Sequence, residues 1–185
     1  AEASRFSFIA ATAIAEGVRR YTGLDIQIKW PNDLVLNGRK ICGILVEMVA
    51  EAEHVDYFVL GFGLNVNQNA ADFPQEIAQK ATSLAIQSGV KIDRMALLCQ
   101  ILLSIEEHLA LYQSQGFAPI RQKWLASACF LGEKVVIRQQ ERIIDEGTVQ
   151  GIDEDGALLL ERPDGQTVRI LAGDVSLRQA DGRYC

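Results

Sequence analysis

No stretch of this 185-residue chain approaches the ~20 consecutive apolar residues that a membrane-spanning helix needs. Its start, Ala1-Glu2-Ala3-Ser4-Arg5, lacks the basic-then-apolar layout of a secretory leader. Basic runs are missing as well. The chain has 18 Lys and Arg against 24 Asp and Glu, a net charge of −6, so it offers no electrostatic footprint for nucleic acid or for an anionic membrane surface. Cysteine is sparse: Cys42, Cys99, Cys129 and Cys185 form no C-x-x-C pair and read as reduced thiols of a cytosolic, hence cytoplasmic, protein. With His54 and His108 as the two histidines, a metal site built from protein ligands is not expected.

What is present is ordinary globular composition, 49% hydrophobic and 23% charged, enough to bury a core in one domain with a small appendage. Phe6, Ile9, Ala10, Ala13, Val18 and Tyr21 recur at helical spacing and predict an amphipathic helix over ~5–22, stopped by Gly23. Ile26 to Trp30 alternates with period two, a strand ended by Pro31. Asn37-Gly38 between β-rich arms predicts a hairpin, and Tyr57 to Asn65 a further strand. Residues 68–90 read as a loop with a short helix near Ala81–Ile86. Asp93 caps a long helix carrying Leu98, Leu102, Ile105, Leu109 and Tyr112, stopped by Gly116, and a last helix spans Pro119 to Ala128. From Leu131 the texture changes to short strands parted by Asp155-Gly156 and Asp164-Gly165 turns. The pattern predicts an α+β fold, a mixed and largely antiparallel sheet flanked by helices, over 1–129, followed by a small β-barrel over 130–185.

Three features carry candidate chemistry. In Lys29-Trp30-Pro31-Asn32-Asp33 a strand ends and presents two polar side chains, either an Asx turn or a pair facing a ligand. Lys40 follows the hairpin turn in an otherwise apolar strand that contains Gly43; it is either an edge charge or a clamp for phosphate or carboxylate. Gly61-Phe62-Gly63-Leu64-Asn65 places two glycines in an apolar strand, which marks either bulges or a ligand close to the backbone.

In this order and spacing, Lys-Trp-Pro-Asn-Asp, Lys-Ile-Cys-Gly-Ile-Leu-Val-Glu (40–47) and Gly-Phe-Gly-Leu-Asn-Val-Asn (61–67) closely resemble the biotin protein ligases, the biotin–[acetyl-CoA-carboxylase] ligases. Gly151-Ile152-Asp153 and Gly173 to Arg178 resemble that family's SH3-like C-terminal domain. The resemblance implies a class II synthetase-like catalytic domain that joins biotin and ATP, with Mg²⁺, into biotinyl-5′-AMP and passes biotin to a lysine of the biotin carboxyl carrier protein of acetyl-CoA carboxylase. It implies Lys40 at the biotin carboxylate and the phosphate, Gly43, Leu45 and Gly61 along biotin, Asn32 at the ribose and phosphate, Asn65 at adenine, and Asp33 at the incoming lysine. Trp30 is expected in the core, and Cys42 as packing. Residues ~68–82 would be a mobile lid, and subunits would pair as a homodimer.

The family's Gly-Arg-Gly-Arg-type loop is absent: Gly-Arg occurs at Gly38-Arg39 and Gly182-Arg183 alone. The expectation is an N-terminally incomplete catalytic domain, inactive by itself. A lipoate-type ligase shares the chemistry, but the Lys-Trp-Pro-Asn-Asp run and the C-terminal barrel argue against it. A non-catalytic module that binds the carrier or dimerises is the reading from another class.

Overall fold

Apolar residues three and four apart give the first helix one buried stripe, with Ile14 and Val18 fully buried on it. In the computed structural model, which describes residues 2–51, 54–139, 142–171 and 175–179, this helix is α1 (Glu2–Thr22). It begins a turn earlier than the apolar spacing predicts, because Glu2-Ala3-Ser4 add no apolar marker yet tolerate helix well.

Four strands follow: β1 (Gln27–Lys29), β2 (Asp33–Leu36), β3 (Arg39–Glu51) and β4 (His54–Leu64). They form an antiparallel sheet in sequential order. The hairpin turn is the expected one, with Asn37 and Gly38 both at positive φ (50° and 72°). Period-two alternation sorts the faces. Leu34, Cys42 and Ile44 are buried, with Val46, Leu60 and Phe62 packed on the same core. Gly43, Leu45, Gly61 and Gly63 occupy the opposite face.

Three helices come next: α2 (Leu84–Ser88), α3 (Arg94–Gln115) and α4 (Phe117–Ser127). α2 starts later than its predicted Ala81, because Ser83 Oγ accepts from Ile86 N and caps it there. Asp93 caps α3 as expected, accepting from Met95 N and Ala96 N. Its buried stripe is Leu97, Ile101, Ser104 and His108, whereas Leu98 and Leu102 are exposed. The expected stripe holds at Ile105, Leu109 and Tyr112, which pack partly buried against the core, and fails at Leu98 and Leu102. α3 carries leucines on several faces, so spacing cannot choose between them, and close packing does: a Cβ on Gly17 of α1 would lie 2.9 Å from Ile101 Cα. By length and composition α3 could cross a bilayer, yet it packs along α1.

A second antiparallel sheet is made of β5 (Lys134–Gln139), β6 (Arg142–Ile152), β7 (Leu158–Glu161), β8 (Thr167–Ile170) and β9 (Val175–Gln179), in the order β8-β7-β6-β5-β9. β9 was not read from alternation. Val135, Ile137, Val149, Ile152, Leu158 and Leu160 are buried in one apolar cluster with Phe8, Trp30 and Trp124. The chain passes between the sheets through a parallel bridge of Ile28 with Ala128, and Cys129 N donates to Ile28 O at 3.1 Å. His54 and Cys185 have side chains outside the described residues.

Candidate active site

The site starts from an irregularity in β3. Leu34 pairs with Cys42, but Val35 pairs with Lys40, so Ile41 is an extra residue in the ladder. Unbroken alternation would send Lys40 to the core face with Cys42 and Ile44. The bulge instead buries Ile41 and Cys42 together and returns Lys40 to the face of Gly43. There Lys40 Nζ meets Asp33 Oδ1 at 2.6 Å. Asp33 itself lies directly opposite Gly43. The Lys40 backbone is held on its other side: Lys40 N donates to Lys80 O at 2.8 Å and Lys40 O accepts from Thr82 N at 3.0 Å.

Beyond the lysine the sheet surface carries glycines at three of its next four positions, with Leu45 the fourth. Gly43 pairs with Gly63, and Leu45 with Gly61. A Cβ on Gly63 would meet nothing within 4 Å, and one on Gly61 only Leu45 O at 3.9 Å. Packing does not demand glycine at either position. The glycines leave an open floor on which a flat ligand can lie against backbone. At Gly43 a Cβ would sit 3.3 Å from Lys40 Nζ, so this glycine also leaves room for the ammonium. Leu45 shares the floor and is 59% exposed.

Lys40, Gly43, Gly63 and Asn65 line one cleft of about 560 Å³ with Phe73 and Lys80. Asn65 is fixed through its backbone, its N–H donating to Ile41 O and its carbonyl accepting from Leu84 N. Asn32 and Leu45 line a different cleft of about 400 Å³, beside Ser4 and Pro31. Asn32 Nδ2 donates to Ile44 O at 2.7 Å, and Ile44 N returns a bond to Asn32 O at 3.0 Å. The structure therefore gathers Lys40, Asp33, Gly43 and Asn65, places Asn32 and Leu45 on the adjoining side, and leaves Gly61 on the floor outside both clefts.

Residues 68–82, expected as a mobile lid, form bonded turns. Ala70–Asp72 is a 3₁₀ turn whose Asp72 carboxylate accepts from Asn69 N at 2.7 Å, and Ala81 N donates to Ile77 O. In this conformation the segment walls the cleft and is joined to Lys40 by its backbone. Phe73, Ile77 and Lys80 on that wall were missed; the Phe73-Pro74 dipeptide in an otherwise polar stretch was the available signal. Gln68 was missed too. Its Oε1 is buried and has no hydrogen-bond partner among the described residues.

Trp30 is buried at 2% exposure, in the core as expected. Cys42 is buried beneath the floor, and its thiol is pushed up to about 12 by that burial and by Asp33, against the opposing effect of Lys40. It is a packing residue and not a nucleophile. Among the described residues no group of three or more His, Cys, Asp or Glu could hold a metal ion. A divalent cation here would take its ligands mainly from a nucleotide's phosphates, the usual habit of Mg²⁺.

Residues 2–65 match the Biotin/lipoate A/B protein ligase family, and residues 130–178 the Biotin protein ligase C terminal domain. The chain is 39% identical over 173 residues to the bifunctional ligase/repressor BirA of Bacillus spizizenii, covering 94% of this chain and 53% of that protein. It is 34% identical over 169 residues to the biotin–[acetyl-CoA-carboxylase] ligase of Paracoccus denitrificans, covering 90% of this chain and 70% of that one. The biotin protein ligase from Aquifex aeolicus in complex with biotin and ATP superposes with a TM-score of 0.82 at 28% identity, over 96% of this chain and 72% of that one. The chain spans about half the length of the BirA relatives it matches.

Proposed function

Because the chain belongs to the biotin protein ligase family, we propose that its glycine-floored cleft binds biotin and MgATP and serves the formation of biotinyl-5′-AMP. The observation that carries this reading is the bulge that places Lys40 over Gly43 and against Asp33. In the first step a biotin carboxylate oxygen attacks the α-phosphorus, the bond to the bridging oxygen breaks, and pyrophosphate leaves. Two anions must approach one another. A fixed ammonium at the edge of a glycine-lined floor lowers that cost where it arises. Lys40 has three donors, so it can keep Asp33 and still meet both the carboxylate and the phosphate.

Asn65 faces the adenine, since an amide both donates and accepts, and Asn32 faces the ribose and phosphate. Leu45, Gly43 and Gly61 lie along biotin. Mg²⁺, were it bound, would be held mainly by the nucleotide's own phosphates and would supply charge screening for the leaving pyrophosphate. In the second step the lysine amine of a biotin carboxyl carrier protein, that of acetyl-CoA carboxylase, attacks the biotinyl carbonyl and AMP departs. Asp33 orients the amine and accepts its proton. Residues 1–129 form the catalytic unit and residues 130–185 an SH3-like barrel, in a cytoplasmic enzyme that pairs as a homodimer. The match of residues 130–178 to a biotin ligase C-terminal domain favours biotin over lipoate.

A Gly-Arg-Gly-Arg-type phosphate loop is not among these 185 residues, so pyrophosphate release by this chain by itself is expected to be negligible, and binding is the decisive test. Calorimetry should detect a non-hydrolysable biotinyl-adenylate analogue binding to the chain, with binding weakened in Lys40→Ala. An analogue that does not bind sinks the reading, as does one whose binding ignores Lys40.

A further inference from the structure

We propose that the turn between β6 and β7 is a positioning device for Asn32 and Asp33, with Trp30 as the residue that transmits it. The proposal deepens the ligase reading of the same site and rests on it for its ligand-binding arm.

Three donors from three elements grip alternate carbonyls of this turn. Arg121 Nε of α4 donates to Ile152 O at 2.6 Å, Arg5 Nε of α1 to Glu154 O at 3.2 Å, and Trp30 Nε1, at the end of β1, to Gly156 O at 3.2 Å. Arg5 also meets Asp155 Oδ1 at 3.6 Å. The turn is stiff in itself. Asp153 Oδ1 accepts from Asp155 N and Ala157 N, and Asp153 Oδ2 is paired with Arg169 Nε. Gly156 stands at φ 84°, and a Cβ there would lie 2.3 Å from Phe8 Cε2. Phe8 is itself buried and packed edge-on against Trp124 and Phe117. The turn therefore seats at one depth on α1, and only glycine allows it.

Of the three donors, Trp30 is the one that leads straight into the polar pair. Its neighbour Pro31 is followed by Asn32, which exchanges two bonds with Ile44, and by Asp33, which holds Lys40. A buried indole N–H has one donor to spend, and here it goes to the second sheet. The depth of the turn thus sets where β1 ends and where the polar pair begins.

The test uses Trp30→Phe, which keeps an aromatic ring and removes the N–H, and Gly156→Ala, which lifts the turn off Phe8. Amide hydrogen exchange is read at Ile44, whose N–H donates to Asn32 O, against Val149 in the second sheet and Leu97 in α3. Trp30→Phe should speed exchange at Ile44 by about tenfold relative to both controls, the effect of one lost hydrogen bond. It should also weaken binding of the biotinyl-adenylate analogue by about tenfold, because Asn32 is assigned to the nucleotide and Asp33 holds Lys40. Gly156→Ala should do the same more strongly, and if it does not fold, Trp30→Phe still decides. Exchange that rises equally at all three amides, or not at all at Ile44, overturns the proposal. So does analogue binding that Trp30→Phe leaves unchanged. If the unaltered chain does not bind the analogue, the ligase reading fails and the exchange result alone judges the turn.

Discussion

The Lys40 ammonium and the Asp33 carboxylate stand 2.6 Å apart, so two side chains assigned to successive chemical steps hold each other in place. Each fixes the other's rotamer, and a ligand anion has to share the lysine with Asp33. Lys40→Ala should weaken binding of the adenylate analogue by about 10- to 100-fold, the range for a hydrogen bond to a charged group. Asp33→Asn should leave that binding within about threefold, since the amide retains an acceptor for Lys40. Calorimetry on the two variants separates them. Equal losses would show that the pair works only as a unit.

Gly63 separates a ligand role from a packing role. A methyl group there meets nothing within 4 Å, so Gly63→Ala should leave stability unchanged or raise it by up to ~1 kcal/mol through the unfolded chain. The same methyl would project into the space assigned to biotin, and biotin affinity should fall by at least about tenfold. Thermal melting and biotin titration of this one variant check both statements. A stable variant that binds biotin normally would remove the floor from the site.

His108 predicts a pH effect on stability away from the cleft. Its Nδ1 lies 2.7 Å from Ser104 O, so it carries the hydrogen, and Nε2 faces Glu16 Oε2 at 3.4 Å as a bare lone pair. Burial holds its pKa below the ordinary 6.5, despite the raising effects of Ser104 O and Glu16, and Lys123 and Arg20 add to the lowering. The unfolded chain therefore takes up the proton first as pH falls. The stability from the neutral imidazole is complete above about 6.5 and is lost as pH falls through the folded value. Burial works against the charge of Glu16, but its bonds from Lys123 and Arg20 outweigh that and hold its carboxyl below the ordinary 4.5. Between pH 7 and 5 the melting midpoint should drop less in His108→Gln than in the unaltered chain. Equal slopes would exclude the histidine as the cause.

Two cysteines give a chemical check on burial. Cys42 is buried with its thiol pushed up to about 12, whereas Cys99 is exposed on α3. Iodoacetamide at pH 8 should alkylate Cys99 and leave Cys42 intact until the protein is denatured. Peptide mass mapping reads this directly, and labelling of native Cys42 would contradict its packing.

Much of this fold was legible because local chemistry and global packing agree at particular residues. Asn37-Gly38 could only be a tight hairpin, Asp93 and Gly116 bracket α3, and the three motifs fall on the strands predicted for them. What escaped was set by tertiary packing. The extra residue at Ile41 leaves no mark in a run of apolar side chains, yet it decides which face Lys40 takes. α3 offers several apolar stripes, and the crossing at Gly17 selects the one containing Ser104 and His108. The wall at Phe73 and Lys80 was hidden because a polar, turn-rich segment looks the same whether it moves or is pinned by backbone bonds to Lys40.

The seam between the two sheets has a practical corollary. Ile28 pairs with Ala128, Cys129 N reaches Ile28 O, and Phe130 is buried immediately afterwards. The passage from one sheet to the other is thus itself an added strand edge. Swapping in residues 128–179 from a relative as a cassette would replace both partners of Ile28, Ala128 and Cys129, and grafts would do better to carry Ile28 and its neighbours with them.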